Sequence, residues 1–214
     1  MMSDRVLEKQ FADLAHQSET AELGMWGFIA TEVLFLGGLF VAYSFYRYLH
    51  PAGVAAAASH TRLVIGSVNT AVLLTSSFLM SWASLAASNG EGRRAARLIW
   101  GAAGLGLVFL ALKGLEYAEE IGERLWPGAA FSLDTPEPRV GEVFYFLYWV
   151  MTGIHALHLL VGVAALAAIG WRAHGGVYSR AYHSPVRVVS LYWHFVDIVW
   201  IFLFALIYLP GRSA

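Results

Sequence analysis

The chain has 214 residues, of which 58% are hydrophobic and 14% charged, with no cysteine and a formal net charge of -1. An average soluble domain carries about 25% charged residues, and the mean hydropathy here is +0.58, so a disordered chain, a disulfide scaffold and a soluble enzyme of ordinary composition are excluded. Without cysteine there are no thiolate copper, iron–sulfur or covalently attached haem sites, and near-neutral charge gives no grip on nucleic acid.

Residues 1–22 are polar and mixed in charge (Asp4, Arg5, Glu8, Lys9, Asp13), unlike a cleavable signal peptide. They read as a cytoplasmic N-terminal tail. Leu7, Phe11 and Leu14, spaced by four and three, allow a short amphipathic helix on the membrane surface; a frayed polar tail is the other option. Residues 23–209 then hold five apolar runs. The first, 23–46, contains one charge, Glu32. The second, 63–88, contains none. The third, 98–117, carries Lys113 and Glu116 near its far end. The fourth, 143–171, carries His155 and His158, and the fifth, 188–209, carries His194 and Asp197. Each run is about 20 residues or longer, enough at 1.5 Å per residue to cross a hydrocarbon core of about 30 Å. Helices satisfy their own backbone hydrogen bonds in lipid, so the expected fold is an all-α bundle of five transmembrane helices. Residues 210–214 form a short external tail. The loop 118–140, with Pro127, Pro136 and Pro138, is expected to fold over the bundle end.

Five spans put Arg5, Lys9, Arg93, Arg94, Arg97, Arg172, Arg180 and Arg187 on one side, and Arg47, Arg62, Arg124, Arg139 and Arg212 on the other. The excess favours a cytoplasmic N-terminus and an external C-terminus.

Charges inside apolar runs are the informative positions, because each costs about 2.5–3.5 kcal/mol at a helix centre. Glu32 could serve a proton or ion path; the competing reading is a carboxyl kept neutral, or paired with a histidine of the fourth span, to fix packing. His155 and His158, three apart, share a helix face, and Glu116 could complete a metal site with them. Helix-borne metal sites carry a denser set of carboxylates and histidines, so hydrogen bonding across the bundle is preferred. Lys113 and Glu116 are also three apart, and are expected to pair or to snorkel to the interface. Glu119, Glu120 and Glu123 extend beyond them as a solvated acidic surface. In the fifth run, His194 and Asp197 share a face. Glu32, His194 and Asp197 are expected at similar depth, with His155 and His158 nearer mid-membrane. None of these residues reads as catalytic, and none as a metal ligand.

Five segments carry a family likeness in chain order: Gly24-Met25-Trp26-Gly27-Phe28-Ile29-Ala30-Thr31-Glu32-Val33-Leu34-Phe35; Asn69-Thr70-Ala71-Val72-Leu73-Leu74-Thr75-Ser76-Ser77; Leu115-Glu116-Tyr117; Thr152-Gly153-Ile154-His155-Ala156-Leu157-His158; and Tyr192-Trp193-His194-Phe195-Val196-Asp197 with Trp200. Together they resemble subunit III of the haem-copper cytochrome c oxidases, over about residues 23–209, in a five-helix form that lacks the first two helices of seven-helix members. Two positions depart from the pattern: Lys113 stands where many members have Gln, and Ala156 where Gly is common.

The resemblance implies a non-redox accessory subunit of a proton-translocating respiratory oxidase in a bacterial inner membrane. It further implies packing on subunit I within a complex that includes subunit II, with haem and copper held by partner subunits and none in this chain. Phospholipid would be held beside Glu32, the buried carboxylate near the lipid cleft, in a groove left open by the two missing helices. Arg172 is a candidate for a lipid phosphate, or is simply a positive anchor on the cytoplasmic side. The subunit would also support proton uptake and turnover stability. An accessory membrane protein of nitric oxide reductase systems shares the His-x-x-His and Trp-His-x-x-Asp stretches and is the alternative. An independent transporter would show internal repeats or broken helices, which are not seen.

Overall fold

A computed structural model describes residues 10–180 and 182–212. Their helices are α1 (Leu14–Leu49), α2 (Pro51–Ser59), α3 (Leu63–Ser88), α4 (Gly92–Gly122), α5 (Pro138–His174) and α6 (Ser184–Ile207). All but α2 are long and apolar enough to cross a membrane, and the described residues form no strand beyond an isolated bridge between Ser179 and Tyr182. The five apolar runs are therefore five helices: α1, α4 and α5 reach past their runs at both ends, α3 coincides with 63–88, and α6 starts four residues before its run and ends two residues short of its end.

Helix α1 starts earlier than its apolar stretch. Asp13 caps it, its carboxylate accepting from the His16 amide at 2.8 Å, and the mostly polar residues 14–22 form its first turns. Leu14 thus belongs to the spanning helix, not to a separate surface helix, while Leu7 lies outside the described residues. Helix α2 was not expected from the sequence. Its nine residues rise only about 13.5 Å, too short to register as a span. Pro51 starts it, and its Val54, Ala57 and Ala58 are buried. Gly53 lets Val140 of α5 close in, since a Cβ there would stand 2.7 Å from a Val140 methyl.

Small residues set the spacing elsewhere. The α3–α4 hairpin buries Ala83, Ala86 and Ala87 against a partner face that includes Ala95, Ala96, Ala102 and Ala103, allowing the backbones a close approach. Its turn needs Gly90 at φ +80°. Half of the α6 span is buried but only 11% of the α1 span, so α6 is central and α1 peripheral. One end of the bundle is tied by Arg187–Glu22 at 3.2 Å and by Arg180 Nε donating to Asn89 O at 3.1 Å. At the other end Tyr43 OH donates to Leu206 O at 2.6 Å. There the α4–α5 loop folds over the bundle, burying Leu125 and Leu133 and accepting from Trp149 Nε1 at Leu125 O, 3.3 Å away.

Candidate functional site

The intramembrane polar residues do not converge on one centre. They form three hydrogen-bonded groups and two isolated side chains.

Glu32 of α1 meets His158 of α5, with Oε2 3.1 Å from Nε2. The two side chains are 18% and 19% exposed, so the pair sits at the bundle's rim. His158 Nδ1 lies 2.9 Å from Ile154 O, and Tyr192 OH of α6 donates to His158 O at 2.9 Å. Two apolar grooves flank the pair along α1. One, of about 240 Å³, runs from Val33, Leu36 and Phe40 to Phe195, Ile198 and Phe202. The other, of about 310 Å³, is lined by Met25, Phe28, Val161, Ala165, Val189 and Tyr192.

Direct contact puts Glu32 at the level of His158, which corrects the expectation that the histidines lie nearer mid-membrane. His155 is corrected too. It is 1% exposed, has no hydrogen-bond partner at either ring nitrogen among the described residues, and packs on Phe109 and Trp200 at 5.6 and 5.1 Å between ring centroids. The two histidines do not act together, because positions three apart are rotated by about 60° around the helix. That offset is enough to turn one inward and the other toward α1.

His194 is the hub of the second group. Its Nδ1 is 2.6 Å from Ser77 Oγ, and its Nε2 is 3.2 Å from both Ser81 Oγ and Ser190 Oγ. Asp197 shares the helix but not the bonds. It is 3% exposed, Ser77 stands beside it, and neither carboxyl oxygen has a hydrogen-bond partner among the described residues.

The third group lies near the C-terminal end of α4. Lys113 Nζ donates to Glu116 Oε2 at 3.0 Å, Tyr148 OH at 2.6 Å and Tyr208 OH at 2.7 Å. The expected Lys113–Glu116 pair is present but does not snorkel, since the two side chains are 2% and 0% exposed. Glu120 also departs from expectation. It is buried and accepts from Tyr148 OH at 2.7 Å, whereas Glu119 and Glu123 face outward and pair with Arg62. Positions 113, 116 and 120 follow the i, i+3, i+7 face of a helix, and that spacing could have assigned Glu120 to the core. Tyr148 and Tyr208 carried no signal that set them apart from other aromatic residues.

Arg172 is exposed in the last turn of α5, with no ion-pair partner among the described residues. Beside it, burial pushes the Tyr178 phenol above its ordinary pKa, while the Arg172 charge pulls the other way. Among the described residues no group of three or more histidines and carboxylates could hold a metal ion.

A family model described as cytochrome c oxidase subunit III matches residues 10–212. The chain is similar to cytochrome c oxidase subunit 3 of Thermostichus vulcanus, at 32% identity over 206 residues, covering 94% of this chain and 92% of that protein. The subunit 3 of Synechocystis sp. is 34% identical over 193 residues, covering 88% and 76%. That of Cyprinus carpio is 32% identical over 195 residues, covering 88% and 69%.

Proposed function

The chain belongs to the cytochrome c oxidase subunit III family, and from that membership we propose that it is the non-redox accessory subunit of a haem-copper terminal oxidase. It packs on subunit I in a bacterial inner membrane, with its N-terminus cytoplasmic and its C-terminus external. It holds phospholipid and sustains proton uptake and turnover stability. The observation that carries this reading is the Glu32–His158 pair at the rim, set between two apolar grooves along the least buried helix. An apolar groove beside a polar pair suits an acyl chain with a headgroup nearby, and exposed Arg172 suits a lipid phosphate.

The histidines support placing haem and copper in partner subunits, because they are otherwise engaged. His158 is bound to Glu32, His194 to three serines, and His155 is enclosed by Phe109 and Trp200. A haem would need two axial ligands at matched depth with room for the macrocycle.

Capture of the complex through a tag on this chain tests the reading. Mass spectrometry should find subunits I and II, and detergent release of this chain should leave all iron and copper with the remainder. Metal leaving with this chain, or capture of nitric oxide reductase chains instead, would overturn it.

A further inference from the structure

The Lys113 cluster plays no part in the lipid role of Glu32, and its hydrogen-bond inventory leaves one atom over. The Lys113 ammonium has three protons and three acceptors: Glu116 Oε2, Tyr148 OH and Tyr208 OH. Each phenol then has one proton to give. Tyr208 gives its proton to Glu116 Oε1 at 2.8 Å, and Tyr148 gives its proton to Glu120 Oε1 at 2.7 Å, with Glu116 Oε1 further off at 3.3 Å. Five protons thus have five partners. The remaining oxygen, Glu120 Oε2, is buried with no partner among the described residues.

Counting charge singles out the same residue. Lys113, Glu116 and Glu120 are each 2% exposed or less, so one ammonium faces two carboxyl groups away from water. With both carboxyls ionised, the interior would hold an uncompensated negative charge, which is costly in a poorly polarisable surrounding. Arg62, the cation at the mouth, is already engaged by Glu119 and Glu123. On the α5 side, Tyr145 packs 5.7 Å from Tyr148 between ring centroids, faces Glu120, and has a buried hydroxyl that also lacks a partner among the described residues.

We propose that this cluster is a binding site for one exchangeable proton, carried on Glu120 Oε2. The proton neutralises the surplus charge while Oε1 keeps its bond from Tyr148. When the site empties, the O–H bond at Oε2 breaks, its electron pair stays on the carboxylate, and the proton passes to water. Water is close: Glu123, the residue that caps α4, lies three residues further on, a rise of about 4.5 Å, and is 49% exposed. The groups around this proton are Lys113 and Glu116 on α4, Tyr145 and Tyr148 on α5 and Tyr208 after α6, with Glu123 toward the surface, where it and Glu119 turn outward to Arg62.

Infrared spectroscopy of the intact oxidase complex tests the site. A protonated-carboxyl C=O band that moves within minutes of transfer to D2O should be present in the native complex, lost in Glu120→Gln and retained in Glu32→Gln. Identical carboxyl regions in native and Glu120→Gln complexes would overturn the proposal, leaving Glu120 ionised beside a water or a cation. A band that never exchanges would overturn it as well. If Glu120→Gln fails to assemble, Tyr148→Phe removes the hydroxyl that bonds Oε1. A displaced carboxyl band then supports the site, and an unchanged one refutes it.

Discussion

Glu32 Oε2 and His158 Nε2 lie 3.1 Å apart, joining the peripheral helix α1 to α5. The imidazole's other nitrogen constrains what they share. His158 Nδ1 is 2.9 Å from Ile154 O, and a carbonyl oxygen only accepts, so Nδ1 carries a proton. One further proton then lies between Oε2 and Nε2. The pair is neutral overall whether that proton sits on the carboxyl or the ring, which removes much of the cost of a carboxylate in lipid.

Glu32→Gln should therefore preserve the contact, because the amide can donate to a neutral Nε2. Assembly and haem content of the complex are expected to stay at native levels, read from the haem spectrum per mole of purified complex. Glu32→Leu strands His158 Nε2 and should cost about 1–3 kcal/mol, seen as release of this chain at a lower temperature. Loss of the whole complex in the Gln variant would make Glu32 architectural.

Lys113 and Arg62 each hold two or more partners at the C-terminal end of α4, but only Lys113 does so away from water. Lys113→Met leaves Glu116 buried without its counter-charge, a loss of about 3–5 kcal/mol. Lys113→Met with Glu116→Leu removes both charges and should recover a good part of that. Arg62 is 41% exposed, so Arg62→Ala should cost no more than about 1 kcal/mol. Thermal release of this chain from the complex ranks all three, and equal effects for Lys113→Met and Arg62→Ala would contradict the burial argument.

Trp193 is fully buried, clamped between two glycines on different helices. A Cβ at Gly106 of α4 would stand 2.7 Å from Trp193 Cη2, and one at Gly162 of α5 would stand 2.9 Å from Cε3. The indole also donates to Ser76 Oγ at 3.1 Å, and Ser76 donates to Ala102 O at 2.9 Å, so four helices meet at this ring. Overpacking costs about 1–3 kcal/mol. Gly106→Val and Gly162→Val should lower the thermal midpoint of the complex, whereas Gly104→Val and Gly153→Val, with nothing within 4 Å of a Cβ, should not move it through contacts inside the chain.

Five spans were legible because each is an apolar run of crossing length, and the Lys113–Glu116 pair because spacing alone makes the two neighbours. Helix α2 escaped notice because its 51–59 segment is too short to span. The acidic run 119–123 reads as one solvated surface until helical rotation divides it, sending Glu120 inward with Lys113 while Glu119 and Glu123 turn out to Arg62. Hydropathy gives no rotation about the helix axis, and rotation decides which polar side chains meet. The serines around His194 were lost for the same reason: a hydroxyl in an apolar run is silent until a partner helix is placed against it.

His155 brings that limit to a test. Its ring is enclosed by Phe109 and Trp200, and both nitrogens lack a hydrogen-bond partner among the described residues. Leaving a buried polar group unpaired costs about 1–3 kcal/mol, a penalty that an apolar ring of similar size avoids. His155→Phe should then hold or raise the thermal midpoint of the complex, with turnover unchanged if the residue only fills space. A fall in turnover at undiminished stability would instead show that the imidazole acts in the working enzyme through a water or a partner subunit. A fall in stability would mean that the ring nitrogens are satisfied in the assembled complex.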